Sequence, residues 1–310
     1  MNSKNETRGL WLGLLGVAIF AITLPMTRLA TGTADAPQLS PWFVTLGRAA
    51  LAGGLSIVFL LATRSRWPTA AEWRPLSIAT LGNALGFPLL IGYALLTISA
   101  SHAAVIIALL PLATAVVAAI VMHQRARLGF WLSACIGAAL VVGFSLYRAT
   151  QHGPGLALEW GDVLMLGAVA SAALGYVYGA KVTPTLGAEQ VICWVCVLAL
   201  PITLPGAWLT WPEHAIALSS WLALLYVGVF SMWAGFFAWF RGLSLGGPLR
   251  VSQTQLLQPF ISILAAIPLL GESLDTMTLG FALLVVLTVF MGRRMANAPT
   301  PVPALPTRAS

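Results

Sequence analysis

Apolar residues in this chain gather in runs, and ten of the runs are about 20 residues long, the length a helix needs to cross roughly 30 Å of hydrocarbon. They cover residues 9–29, 41–62, 74–95, 102–122, 129–148, 160–180, 188–209, 218–240, 250–270 and 277–293. The pattern predicts an all-α integral membrane protein of ten transmembrane helices. One run differs from the rest. Residues 250–260, RVSQTQLLQPF, hold Ser252, Gln253, Thr254, Gln255 and Gln258 inside an apolar segment. At about 100° per residue, Ser252, Gln255, Gln258, Pro259 and Ser262 share one helical stripe and Gln253 points elsewhere. An unsatisfied amide in hydrocarbon costs several kcal/mol, so the stripe calls for a cavity or a partner helix beside it.

Composition agrees with the pattern. Of 310 residues, 59% are hydrophobic and 8% charged, with a mean hydropathy of +0.89, a surface no soluble domain of this length can keep in water. The net charge of +7 is spread singly or in pairs between apolar runs, which fits loop bias and excludes a nucleic-acid partner. With the N-terminus inside, Lys4, Arg8, Arg64, Arg66, Arg74, Arg125, Arg127, Lys181, Arg241, Arg250, Arg293, Arg294 and Arg308 fall on the cytoplasmic side. Only Arg148 falls outside, with Arg28 and Arg48 left over. Both termini are therefore expected in the cytoplasm, in a bacterial inner membrane. The first run resembles a secretory signal, with Ala34-Asp35-Ala36 as a cleavage site, but its length and its apparent repetition in the sixth run make it a span.

The chain also repeats itself. Sliding by 148 positions lays His102 on Arg250 and Pro111 on Pro259, and a second match relates the first and sixth runs around Gly16 and Gly167. Residues 1–150 and 151–296 then form two five-helix repeats, followed by a disordered Pro-rich tail, 297–310. An odd number of helices per repeat inverts the second in the membrane, the plan of secondary transporters with a site near the midplane. Pro111 and Pro259 free a carbonyl in mid-helix and serve either as hinges or as static bends. Gly82/Gly86 and Gly175/Gly179 have the spacing of close helix contacts. Cys135, Cys193 and Cys196 lie in apolar runs and read as small buried residues rather than a disulfide framework.

Ten spans, the five-plus-five repeat, the LLGES turn at residues 269–273 and the arginine in LGRAALAG, Arg48, together resemble the drug/metabolite transporter superfamily, EamA type. Within it, the third and fourth helices are most similar to bacterial amino-acid exporters of the aromatic (YddG-like) branch. The resemblance implies a central cavity walled by the first four helices of each repeat, with the fifth and tenth helices peripheral. The first half departs from the pattern, having His123-Gln124-Arg125 where the second has Gly271-Glu272-Ser273.

The chemistry narrows what such a cavity can carry. All nine acidic residues and all four histidines fall at span ends or in loops, which leans toward facilitated, downhill export or toward coupling through a group not evident in the sequence. It also weighs against a cationic drug, and the scarcity of deep Lys and Arg weighs against phosphorylated substrates. Arg48 is the one basic residue well inside a span. It is a candidate to attract a substrate carboxylate or hold a gate, or, structurally, to snorkel or bind a free helix carbonyl. Substrate-binding candidates are Asn83 and Phe87, one turn apart on the third helix, and Ser252, Gln255 and Gln258. Tyr93, Tyr176, Tyr178, Trp233 and Phe237 are further candidates, each with a packing or interface-belt alternative. The expected function is an amino-acid exporter acting as a monomer among membrane lipids, with no cofactor or metal; another small amphipathic metabolite is the alternative cargo. An intramembrane enzyme lacks a catalytic constellation, and a sensor lacks an effector domain.

Overall fold

A computed structural model describes residues 3–121, 128–152, 159–246 and 252–296; the tail, residues 122–127 and Arg250 lie outside them. Among the described residues the chain is helical, with a lone antiparallel bridge between Gly32 and Pro37. Helices α1 (Ser3–Ala21) and α2 (Thr23–Thr31) form one rod broken at Ile22, where Pro25 cannot return a bond to Ala21. Helix α3 (Pro41–Ala62) starts at Ser40, whose hydroxyl accepts the Phe43 N–H at 3.1 Å. Helices α4 (Ala70–Ala79) and α5 (Phe87–Ala94) are joined by a π-helical stretch, Thr80–Gly86. Next come α6 (Ala100–Ile107), α7 (Leu110–Val121), α8 (Leu128–His152), α9 (Trp160–Leu186) and α10 (Ala188–Leu209). Helices α11 (Leu218–Leu225) and α12 (Gly235–Gly246) flank a second π-helical stretch, Tyr226–Ala234. A 3₁₀ turn, Ser252–Leu257, leads into α13 (Gln258–Leu270), and α14 (Thr276–Ala296) ends the described chain.

Among the described residues seven helical spans are long and apolar enough to cross a membrane, and Trp131–Phe144, Thr254–Leu270 and Thr276–Met291 are shorter apolar helices. Their outer faces stay apolar: Trp208 and Leu209 are 80% and 82% exposed, and Leu61, Trp67 and Leu218 are similarly bare. Such a surface is stable against lipid and not against water, and exposed tryptophans near helix ends suit the interfaces. This is a multi-pass membrane protein.

Helix α1 packs along α12, α3 along α10 and α8 along α14, while α9 is flanked by α4, α5 and α7, and α13 touches α1, α2 and α6. Gly82 and Gly175 let α9 approach the Thr80–Gly86 stretch closely: a Cβ at Gly82 would stand 2.6 Å from the Ser171 carbonyl. The Ser171 hydroxyl donates to the Gly82 carbonyl at 3.1 Å across the same contact.

The two ends of the bundle are held differently. At one, the Ala217 N–H donates to Gln38 Oε1 at 3.1 Å, the Ser220 hydroxyl to the Leu29 carbonyl at 2.8 Å, and Arg28 to the carbonyls of Leu95 and Ile98. Glu272 accepts the N–H groups of Ala100 and Ser101 at 2.7 and 3.0 Å there, capping α6. At the other end, Glu72 receives both arms of Arg66, at 2.9 and 2.7 Å, together with the Thr69 N–H and the Thr185 hydroxyl.

Candidate functional site

Helix interruptions place polar groups in the middle of the bundle. Pro111 and Pro259 stand in the first turns of α7 and α13, directly after the breaks. A proline nitrogen cannot close an α-helical bond to the carbonyl four residues back, here at Ile107 and Gln255. Both of these residues line a cavity.

Its larger chamber, about 250 Å³, is walled by Leu110, Pro111, Thr114, Val191, Ile192, Val195, Phe236 and Trp239, with Asn83, Tyr176 and Gln255 as polar groups and Gly175 and Gly179 as floor. A smaller chamber of about 30 Å³ lies among Phe20, Thr23, Arg48, Phe87, Ile107, Ser231, Met232 and Gln258. The chambers share Asn83, Leu110, Tyr176 and Phe236, so they adjoin one another. The Thr80–Gly86 stretch carries Asn83 and the Tyr226–Ala234 stretch carries Ser231; π turns recur at functional sites because they redirect side chains.

Arg48 is 2% exposed, although it lies well inside α3. The snorkelling and carbonyl-binding alternatives fail: its Nη2 donates to the Ser231 hydroxyl at 3.2 Å, and Nε and Nη1 have no hydrogen-bond partner. Ser231 Oγ also lies 2.8 Å from Thr23 Oγ1. Among the described residues no carboxylate pairs with Arg48. An arginine at helix centre costs about 3 kcal/mol to insert, so holding one without a counter-ion is a functional signal. Arg28, by contrast, is occupied with backbone carbonyls.

Of the residues singled out by sequence, Asn83, Phe87, Tyr176, Gln255, Gln258, Arg48 and Pro111 come together at the cavity. Pro259 is buried beside Gln258, and the side chain of Ser252 lies outside those described. Three of the aromatic candidates lie elsewhere. Tyr93 is 37% exposed and lines neither chamber. Trp233 and Phe237 pack instead on Phe59, with ring centroids 6.3 and 4.8 Å away. Phe236 and Trp239 of α12 line the larger chamber. Tyr178 lies under Lys181, whose Nζ is 5.0 Å from the ring centre.

A second buried pair escaped the sequence. His102 and Asp162 do sit at helix starts, yet they are 3% and 1% exposed, with His102 Nε2 2.7 Å from Asp162 Oδ1. The imidazole also meets the Phe144 ring edge-on at 4.8 Å, on the side toward α8 rather than the cavity.

Comparisons with known proteins agree with this architecture. The model of the EamA-like transporter family matches residues 7–146 and 159–292. The "Uncharacterized transporter YdeK" of Bacillus subtilis strain 168 is 40% identical over 296 residues, spanning 94% of this chain and all of that protein. A solved structure titled only "Crystal structure of protein" superposes with a TM-score of 0.62 at 20% identity, over 94% of this chain and 98% of its own, and so shares the fold.

Proposed function

Because the chain belongs to the EamA-like transporter family, we propose that it is a secondary transporter that exports neutral amino acids, aromatic ones among them, with the two-chamber cavity as its substrate site. The observation that carries this reading is the lining of the larger chamber. The amides of Asn83 and Gln255 and the Tyr176 hydroxyl face apolar walls that include Phe236 and Trp239. That combination suits a small amphipathic zwitterion and is too poor in charge for a phosphorylated sugar.

The proposal includes ten spans in two inverted repeats, with both termini in the cytoplasm and the monomer as the working unit. Three features support the repeat. A shift of 148 lays Asn83 on Ser231, and with them the two π-helical stretches. It also lays the break at Leu109 on the end of the 3₁₀ turn at Leu257. The contacts pair up as inversion requires: α1 with α12 answers α9 with α5, and α13 with α1 and α2 answers α7 with α9. With this orientation, the hydrogen-bonded end containing Gln38, Arg28 and Glu272 is the outer one. The larger chamber reaches Ala180, an exposed residue toward the inner end, which supports reading the cavity as open to the cytoplasm.

Counterflow into proteoliposomes with each of the twenty labelled amino acids, at several pH gradients, tests the reading. Accumulation of phenylalanine or other neutral amino acids is the expected result. No amino-acid counterflow by folded protein, or counterflow of another metabolite class alone, overturns it. Within that assay Gln255→Leu and Gln258→Leu are each expected to lower phenylalanine flux by about 5- to 150-fold, the equivalent of about 1–3 kcal/mol for a partner left unsatisfied.

A further inference from the structure

We propose that Arg48 is the anchor for a substrate carboxylate, and that the smaller chamber fixes how the substrate lies. The inference rests on the cavity being the transport site and goes beyond it by naming which end of the substrate binds where. The guanidinium is buried, and one of its three nitrogens bonds to Ser231. Nε and Nη1 are buried without hydrogen-bond partners, and Arg48 lines the smaller chamber. No carboxylate among the described residues neutralises it. Nη2 carries two N–H groups and gives one to Ser231, so its second N–H together with Nη1 or with Nε can meet the two oxygens of a carboxylate, a geometry that a lysine cannot reproduce.

Size assigns the rest of the ligand. At about 30 Å³ against about 250 Å³, the smaller chamber has room for a few water-sized groups, which suits a terminal carboxylate better than a bulky side chain. The body of the substrate must therefore extend past Asn83 and Tyr176 into the larger chamber, against Val191, Ile192, Phe236 and Trp239. Among the described residues neither chamber is lined by an acidic one. The side-chain oxygens they offer an ammonium group are neutral, from Asn83, Gln255, Gln258, Tyr176, Thr23, Thr114 and Ser231. The cavity thus requires the carboxylate and merely tolerates the amine. Its ligand class is a monocarboxylate with an apolar body, of which neutral amino acids are one kind.

Calorimetric titration of the purified protein in lipid nanodiscs tests this with four probes: L-phenylalanine, 3-phenylpropionate, phenylalaninamide and 2-phenylethylamine. The two carboxylates are expected to bind within about tenfold of each other and the two amines at least about 100-fold more weakly, because a charged donor pair is left unmet. Arg48→Gln is expected to weaken both carboxylates by about 100-fold, and Arg48→Lys by less. Thermal unfolding separates anchoring from scaffolding. If Arg48 only braced Ser231, Arg48→Gln would lower the melting temperature, whereas loss of an unpaired buried charge leaves it unchanged or raised.

Phenylalaninamide binding as tightly as phenylalanine, unchanged phenylalanine affinity in Arg48→Gln, or no carboxylate binding to folded wild-type protein overturns the proposal. Equal phenylalanine counterflow by wild type and Arg48→Gln removes the anchor and leaves the transport reading standing. Arg48-dependent binding of 3-phenylpropionate without binding of any amino acid does the reverse.

Discussion

Asp162→Ala is expected to destabilise the protein by about 3–5 kcal/mol, since removing one member of a buried pair strands the other away from water. His102 and Asp162 meet with almost no exposure, across the start of α6 and the start of α9. The carboxylate also accepts the Glu159 N–H at 3.2 Å, so the same substitution uncaps α9. Equilibrium unfolding in micelles measures the loss. Exchanging both residues for leucine is expected to restore at least half of it, because a well-packed apolar pair can replace a buried polar one at little cost. A loss below about 1 kcal/mol for Asp162→Ala would show that the pair is incidental.

Gly82→Ala has the second large effect, about 3 kcal/mol, at the upper end of what overpacking costs. The added Cβ would stand 2.6 Å from the Ser171 carbonyl and 2.8 Å from the Gly175 nitrogen. Both are backbone atoms of α9, and neither can swing aside. The helix must move away, breaking the bond from the Ser171 hydroxyl and shifting Asn83, the next residue, out of the cavity wall. Gly54 provides the contrast. A Cβ there meets nothing within 4 Å, so Gly54→Ala is expected to be neutral or to stabilise by about 0.5–1 kcal/mol. Thermal unfolding of the two variants side by side reads the difference; equal melting temperatures would refute the close contact.

Much of this was legible in the chain, for identifiable reasons. Hydropathy marked the apolar helices because lipid tolerates little else. Proline marked the breaks before α7 and α13, and Pro25 marks the one between α1 and α2. Asn83, Gln255 and Gln258 stood out because amides are rare at depth. The π turns did not. Tyr226–Ala234 holds no proline and its hydropathy is unbroken, so its extra rotation comes from packing. The aromatics that line the chamber, Phe236 and Trp239, follow that stretch, while Trp233 and Phe237 pack on Phe59. The direction of Arg48 was equally hidden, because a lone arginine in a span reads the same whether it faces lipid or a cavity. His102 and Asp162 each look like an ordinary span-end residue, and only the packing of α6 on α9 makes them a pair.

The claim that substrate passes through the chamber shared by Asn83, Tyr176 and Gln255 is tested most directly by filling it. Gly179 lines that chamber, and a Cβ there meets only Val191 at 3.6 Å and Ala79 at 4.0 Å, so a larger side chain occupies cavity space before it clashes with backbone. The measurement is counterflow of labelled phenylalanine into proteoliposomes carrying Gly179→Leu beside wild type at matched protein density. The account predicts a fall of at least about tenfold with thermal unfolding little changed. Wild-type flux through the filled cavity would contradict it.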